Sequence, residues 1–171
     1  MADTANAALL VIRIAVGVVF LAHGVKHFRN RDKTMRWTAS IGFKSPGIQW
    51  LFMSFAEIGV GLSLAFGLLT SVGAAGVVSL MVVAFVTVHR KAGFWITARP
   101  DEGWEYAMNL VAAAVALAML GPGEWALDHT LEIAGDLDGT VGLGIAGLGV
   151  LAALAQLAAF YRPGEVRSAN G

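Results

Sequence analysis

The chain contains no cysteine. That excludes disulfides, iron–sulfur clusters, thiolate zinc sites and thiol–disulfide exchange by its own residues. Charge is scarce as well. Only 14% of the 171 residues are Asp, Glu, Lys or Arg, against 57% hydrophobic, and a soluble domain needs more charge than that to cover its surface. The net charge is zero, so the bulk balance gives no reason to expect nucleic acid as a partner. The first eight residues hold one acid, Asp3, and no base. They lack the basic region and small-residue cleavage site of a secretory leader, so the first apolar run is expected to stay as a membrane span. No phosphate-binding glycine loop, nucleotide fingerprint or nucleophile elbow occurs.

What the chain has in abundance is long apolar runs, with a mean hydropathy of +0.68. Five stretches, residues 7–25, 48–69, 72–88, 104–120 and 141–161, are each long enough to cross about 30 Å of hydrocarbon, which takes roughly 17–25 residues. None alternates inside-to-outside as a barrel strand would, so helices are expected. The turn at Thr70-Ser71 is short enough to make the second and third spans an antiparallel hairpin. Gly121-Pro122-Gly123 is a strong stop for the fourth. The expected fold is all-α: a polytopic helical bundle forming one membrane domain over 1–171.

The placement of charge orients that bundle. The connection after the first span carries Lys26, Arg29, Arg31, Lys33, Arg36 and Lys44 against a single Asp32. The connection after the third holds Arg90, Lys91 and Arg99, and the tail holds Arg162 and Arg167. The turn between spans two and three is uncharged, and the connection after span four carries Glu124, Asp128, Glu132, Asp136 and Asp138 with no Lys or Arg. Basic and base-free segments alternate as five spans require. By the positive-inside rule the N-terminus lies outside and the C-terminus in the cytoplasm. The first connection also carries Phe28, Met35, Trp37, Ile41 and Phe43. It reads either as a helix lying on the anionic leaflet or as a loop whose bases only set topology. The fifth span is rich in Gly and Ala, which suits either docking within the chain or self-association into a homo-oligomer.

Ionisable groups inside spans are costly and face a partner or a wet cavity. At about 1.5 Å of rise per residue, Glu57 lies roughly 13 Å from the basic end and Arg13 roughly 20 Å. An Arg13–Glu57 ion pair between spans one and two is therefore expected as a structural element, with reach supplied by the long arginine side chain. His23 sits a turn from the basic end of span one, His89 closes span three, and Glu105 with Tyr106 opens span four. With Glu57, these form a candidate ligand-binding set, His23, Glu57, His89, Glu105 and Tyr106, around a pocket entered from the cytoplasmic side. Trp104 and Asn109 are expected near its wall. Histidine beside carboxylate suits proton handling; the alternative is that each group only caps a helix end or meets headgroups. His23 and His27 stand at i, i+4, a metal-compatible spacing, but no third ligand accompanies them and no metal site is assigned. A b-type haem between His23 and His89 would rest on two histidines at one depth and nothing more.

In series, these motifs resemble the DoxX family of small bacterial membrane proteins. The likeness begins at residues 9–28, LLVIRIAVGVVFLAHGVKHF, and continues through Gly42-Phe43 and Pro46, Ala56-Glu57 with Gly61, and residues 66–70, FGLLT. It resumes at Val88-His89, Gly93-Phe94 and Gly103-Trp104-Glu105-Tyr106, and closes at Gly121-Pro122-Gly123 with Asp128. The resemblance implies a four-helix core to which the fifth span is a C-terminal addition. It also implies a bacterial inner-membrane location and a role in membrane oxidoreduction linked to quinone chemistry, with no flavin site. The leading expectation is an accessory subunit that binds a quinone-like or other apolar molecule and meets a soluble or membrane redox partner. Two alternatives stand beside it. One is a non-catalytic scaffold that docks a soluble partner, for instance through the acidic connection 124–138. The other is a small-molecule transporter, disfavoured by the lack of inverted repeats or a broken helix.

Overall fold

A computed structural model describes residues 3–163; Arg167 of the basic tail lies outside them. The described residues are helical throughout apart from turns and one isolated bridge, Phe43 to Tyr161. Helix α1 (Asp3–Arg29) is followed by α2 (Arg31–Ser40), α3 (Pro46–Phe66) and α4 (Thr70–Ala84). A π-helical turn, Phe85–His89, extends α4 into the single turn α5 (Arg90–Ala92). Then come α6 (Glu105–Leu120), the short α7 (Leu127–Thr130) and α8 (Ala134–Leu137), and α9 (Gly139–Phe160).

Four of these helices, counting α4 with its extension, are long and apolar enough to cross a membrane. The 16-residue α6 is about 24 Å long and falls short by length. It nevertheless runs from the end of α5 to the start of α9, because Glu105 N donates to Phe94 O and Gly121 abuts Asp138. The chain is a multi-pass membrane bundle.

Glycine sets the closest approaches. A Cβ on Gly17 would meet Gly61 O at 2.9 Å, and one on Gly24 would meet Ser54 O at 2.9 Å, so α1 and α3 pack backbone to backbone. On α9, Gly142, Ala146, Gly149 and Ala153 form one buried stripe. Cβ atoms added at Gly142 and Gly149 would collide with the carbonyls of Ala118 in α6 and Ala75 in α4. The small residues of α9 thus dock it within the chain, while Gly144 and Gly147 face open space. Phe20, Leu64, Val77, Ala114 and Leu117 fill the centre, and outward residues such as Val11, Phe66 and Leu151 are exposed.

The α3–α4 turn falls at 67–69, ahead of the expected Thr70-Ser71, which are buried in the first turn of α4. Gly67 takes the left-handed conformation (φ +64°) that ends a helix with least strain. Leu69, at φ +51°, bears a cost there. Asp128 offsets it: its carboxylate accepts from Leu69 N at 2.6 Å and Thr70 N at 2.8 Å, capping α4 from the far connection. Asp128 is therefore buried and does not belong to an acidic outer surface. The segment after Arg29 is the helix α2, folded back against α3.

Candidate functional site

Between α1, α2, α3, α4, α6 and α9 lies a cavity of about 910 Å³, within the size range of small-molecule sites. Its wall is mostly aliphatic and aromatic, Val19, Phe20, Phe52, Leu80, Leu110 and Phe160 among others. The polar exceptions sit toward the basic end of the bundle.

His23, Glu57, His89 and Tyr106 all line it. Glu105 does not: its Oε2 accepts from Ile96 N at 3.1 Å, which ties down the loop before α6, and neighbouring Glu102 reaches the cavity instead. Trp104 packs against Phe85 and Phe94, and Asn109 donates to Glu105 O; neither lines the cavity.

The Arg13–Glu57 ion pair is absent. Arg13 is fully buried, and its guanidinium donates to Leu64 O (3.2 Å), Ala65 O (3.4 Å) and Trp125 O (2.6 Å). Those carbonyls belong to the end of α3 and the connection beyond α6, about two turns past Glu57. Helical rise already put Arg13 deeper than Glu57, and the difference is enough to carry its guanidinium past Glu57 to Leu64 and Ala65. Arg13 accordingly meets the free carbonyls at the C-terminus of α3, which a cation satisfies well.

Glu57 instead faces His27, with Oε2 3.9 Å from Nε2. The glutamate is 8% exposed and its Oε2 has no hydrogen-bond partner. His27 is held on every side. Its Nδ1 meets Thr34 Oγ1 at 3.3 Å, its ring stacks on Trp37 with centroids 6.3 Å apart, and its carbonyl accepts from Trp50 Nε1. Residues i and i+4 share a helix face, so the position of His23 on the cavity brings His27 there too. That spacing was the signal available in the sequence; the surrounding bases made His27 look solvated. His23 Nδ1 lies 2.9 Å from Val19 O and His89 Nδ1 lies 2.6 Å from Glu102 O. Each histidine thus keeps Nε2 for another contact, if Nδ1 carries the proton. Two further polar residues, Gln49 of α3 and Gln156 of α9, also line the wall.

Chemically, this is an apolar chamber with one buried carboxylate, a histidine beside it and two more histidines on its wall. Such a site holds a mostly apolar molecule and orients it through a few polar atoms.

Comparison with known proteins agrees with the architecture. The DoxX family model matches residues 8–90, which is α1 through the π turn of α4. A Bacillus subtilis (strain 168) protein named "Putative oxidoreductase CatD" is 28% identical over 119 residues, covering 70% of this chain and 83% of that one. No solved structure matches. Residues 8–90 are thus similar to the DoxX family.

Proposed function

We propose that this chain is an accessory membrane subunit of an oxidoreductase system, and that it binds a quinone-like molecule in the cavity between α1, α3, α4 and α6. The observation that carries the reading is Glu57. A carboxylate 8% exposed, with one oxygen lacking any hydrogen bond, is expensive inside an apolar chamber unless a ligand or a proton meets it. An apolar ring with polar oxygens supplies the missing partner, and the aliphatic wall takes the rest of the ligand. His27 stands 3.9 Å from Glu57, so the two can hold and pass a proton as a bound headgroup changes protonation. His89 and Tyr106, at helix ends on the basic side, would guide the headgroup and its proton from the mouth, and His23 would meet it further in. The redox class is supported by the name of the CatD relative.

The basic ends of the helices support an inner-membrane orientation with this mouth toward the cytoplasm, and α6 would make the fifth crossing. Mass spectrometry of lipids co-purified from native membranes tests the function. Wild type should retain a quinone, and Glu57→Gln and His23→Ala should each lose at least about tenfold of it while remaining folded. Absence of any quinone from wild type purified out of native membranes would refute the reading.

A further inference from the structure

The family model matches residues 8–90, yet α9, beyond them, forms one wall of the cavity with Ala152, Ala155, Gln156 and Phe160. This helix has a docking face of small residues and, next to it, a cavity face on which Gln156 is the polar member. Gln156 Nε2 donates to Gln49 Oε1 at 3.0 Å. Gln49 is 3% exposed, and its Nε2 is buried without an acceptor. An apolar bundle does not ordinarily retain a pair of cross-helix amides, one with an unmet donor, when leucine would fill the space. The hydrogen bond also has a direction. By occupying the Gln49 carbonyl, Gln156 commits the rest of that amide to donation.

Gln49 and Glu57 lie eight residues apart on α3, about 12 Å along its axis, with Gln49 nearer the basic mouth. Both line the cavity. One offers a fixed donor and the other a carboxylate, with apolar wall between. A single ring with oxygens on opposite sides, taking a hydrogen bond of about 2.8 Å at each end, is on the scale of that separation.

We propose that α9 completes the ligand site, with Gln156 acting as a positioning residue that fixes the Gln49 amide to donate to a carbonyl oxygen of the ligand, while Glu57 meets the ligand's opposite end. This rests on the ligand reading above. It adds a specificity element: the site selects a carbonyl-bearing ring over an equally apolar hydrocarbon.

Two tritiated probes read that selection directly, 2-methyl-1,4-naphthoquinone and 2-methylnaphthalene, which lacks the oxygens. Binding is measured to the full chain in phosphatidylcholine nanodiscs, with empty discs subtracted. Wild type should prefer the quinone by about tenfold or more. Gln49→Met and Gln156→Met keep side-chain volume but remove the amides. Each should abolish most of that preference and leave hydrocarbon binding within about twofold, with thermal unfolding used to confirm a folded protein. If Gln49→Met fails to fold, Gln156→Met, on a half-buried residue, carries the test. Full preference in the folded variants, or equal loss of both probes, overturns the inference. If Glu57→Gln still loses the quinone in those circumstances, the ligand reading survives without it. Wild type that binds neither probe, or both equally, overturns the two together.

Discussion

Replacing Arg13 with methionine should be among the most damaging substitutions in the chain, and its damage should be independent of Glu57. The guanidinium makes hydrogen bonds of 3.2, 3.4 and 2.6 Å to three carbonyls, while its Nε has no partner. A hydrogen bond to a charged group contributes about 1.5–3 kcal/mol. The 3.4 Å contact is weak, so two effective bonds suggest about 3–6 kcal/mol. Relief from burying a cation offsets part of this, leaving about 3–4 kcal/mol net. At about 2–4 °C per kcal/mol for a chain of this size, thermal unfolding in detergent should fall by roughly 6–16 °C. Combined with Glu57→Gln, the two effects should add, so that the double mutant keeps most of the Arg13→Met loss, because residues that share no partner do not couple. A shift under about 2 °C for Arg13→Met, or a double mutant that recovers most of the loss, would show that the guanidinium is not holding the end of α3 as described.

Other outcomes follow from the same geometry. Asp128→Ala removes two short bonds to the N-terminus of α4 and should cost about 2–4 kcal/mol, seen as a lower unfolding temperature. Gly149→Leu drives a side chain into Ala75 O and should destabilise by about 3 kcal/mol, whereas Gly147→Leu, facing open space, should leave unfolding unchanged. Glu57→Gln should leave unfolding the same or raise it by a few degrees, about 1 kcal/mol, even as it weakens ligand retention; a large drop would mean the carboxylate is structural. With no native cysteine, Thr130→Cys should react with an impermeant thiol reagent from outside the cell, and Lys33→Cys only after permeabilisation.

The fold was legible because the signals were long and redundant. Apolar runs gave the approximate ends of the major helices, although only four of the five expected spans are long and apolar enough to cross a membrane. Local chemistry at the connections was less legible. The α3–α4 turn falls at 67–69 because Asp128, some 60 residues away, holds Leu69 and Thr70 by their backbone N–H groups. No local reading of Thr70-Ser71 contains that partner. The acidic connection looked like surface for the same reason: Asp128, and Glu124 through Asn6, make tertiary contacts that composition does not express. In α9 the small residues announced close packing without naming the neighbour. Only the register of Gly142 and Gly149 against two specific carbonyls decides for docking within the chain.

The candidate site shows where depth arithmetic fails and why. Helical rise places residues along one axis and says nothing about azimuth, so it allowed Arg13 and Glu57 to meet although Arg13 serves the C-terminal end of α3, about two turns beyond Glu57. The same arithmetic did gather His23, Glu57, His89 and Tyr106, since each sits on a face that its helix turns inward. Glu105, one residue from Tyr106, is rotated by about 100° onto the loop it anchors. His27 and the glutamine pair carried weaker signals: one lay among bases, and the others were uncharged amides in apolar helices. Both ends of the bundle leave buried polar atoms without partners, Arg13 Nε and Thr70 Oγ1 at the acid-rich end, but those two residues do not line the cavity, whereas Gln49 and Glu57 do. At the acid-rich end Arg13, Asn6 and Asp128 find protein partners that close the structure. At the basic end Glu57 and Gln49 remain short of partners beside a large cavity. Stability accounts for the first arrangement. The second costs stability, and on the ligand reading proposed above a bound molecule that meets those atoms offsets that cost.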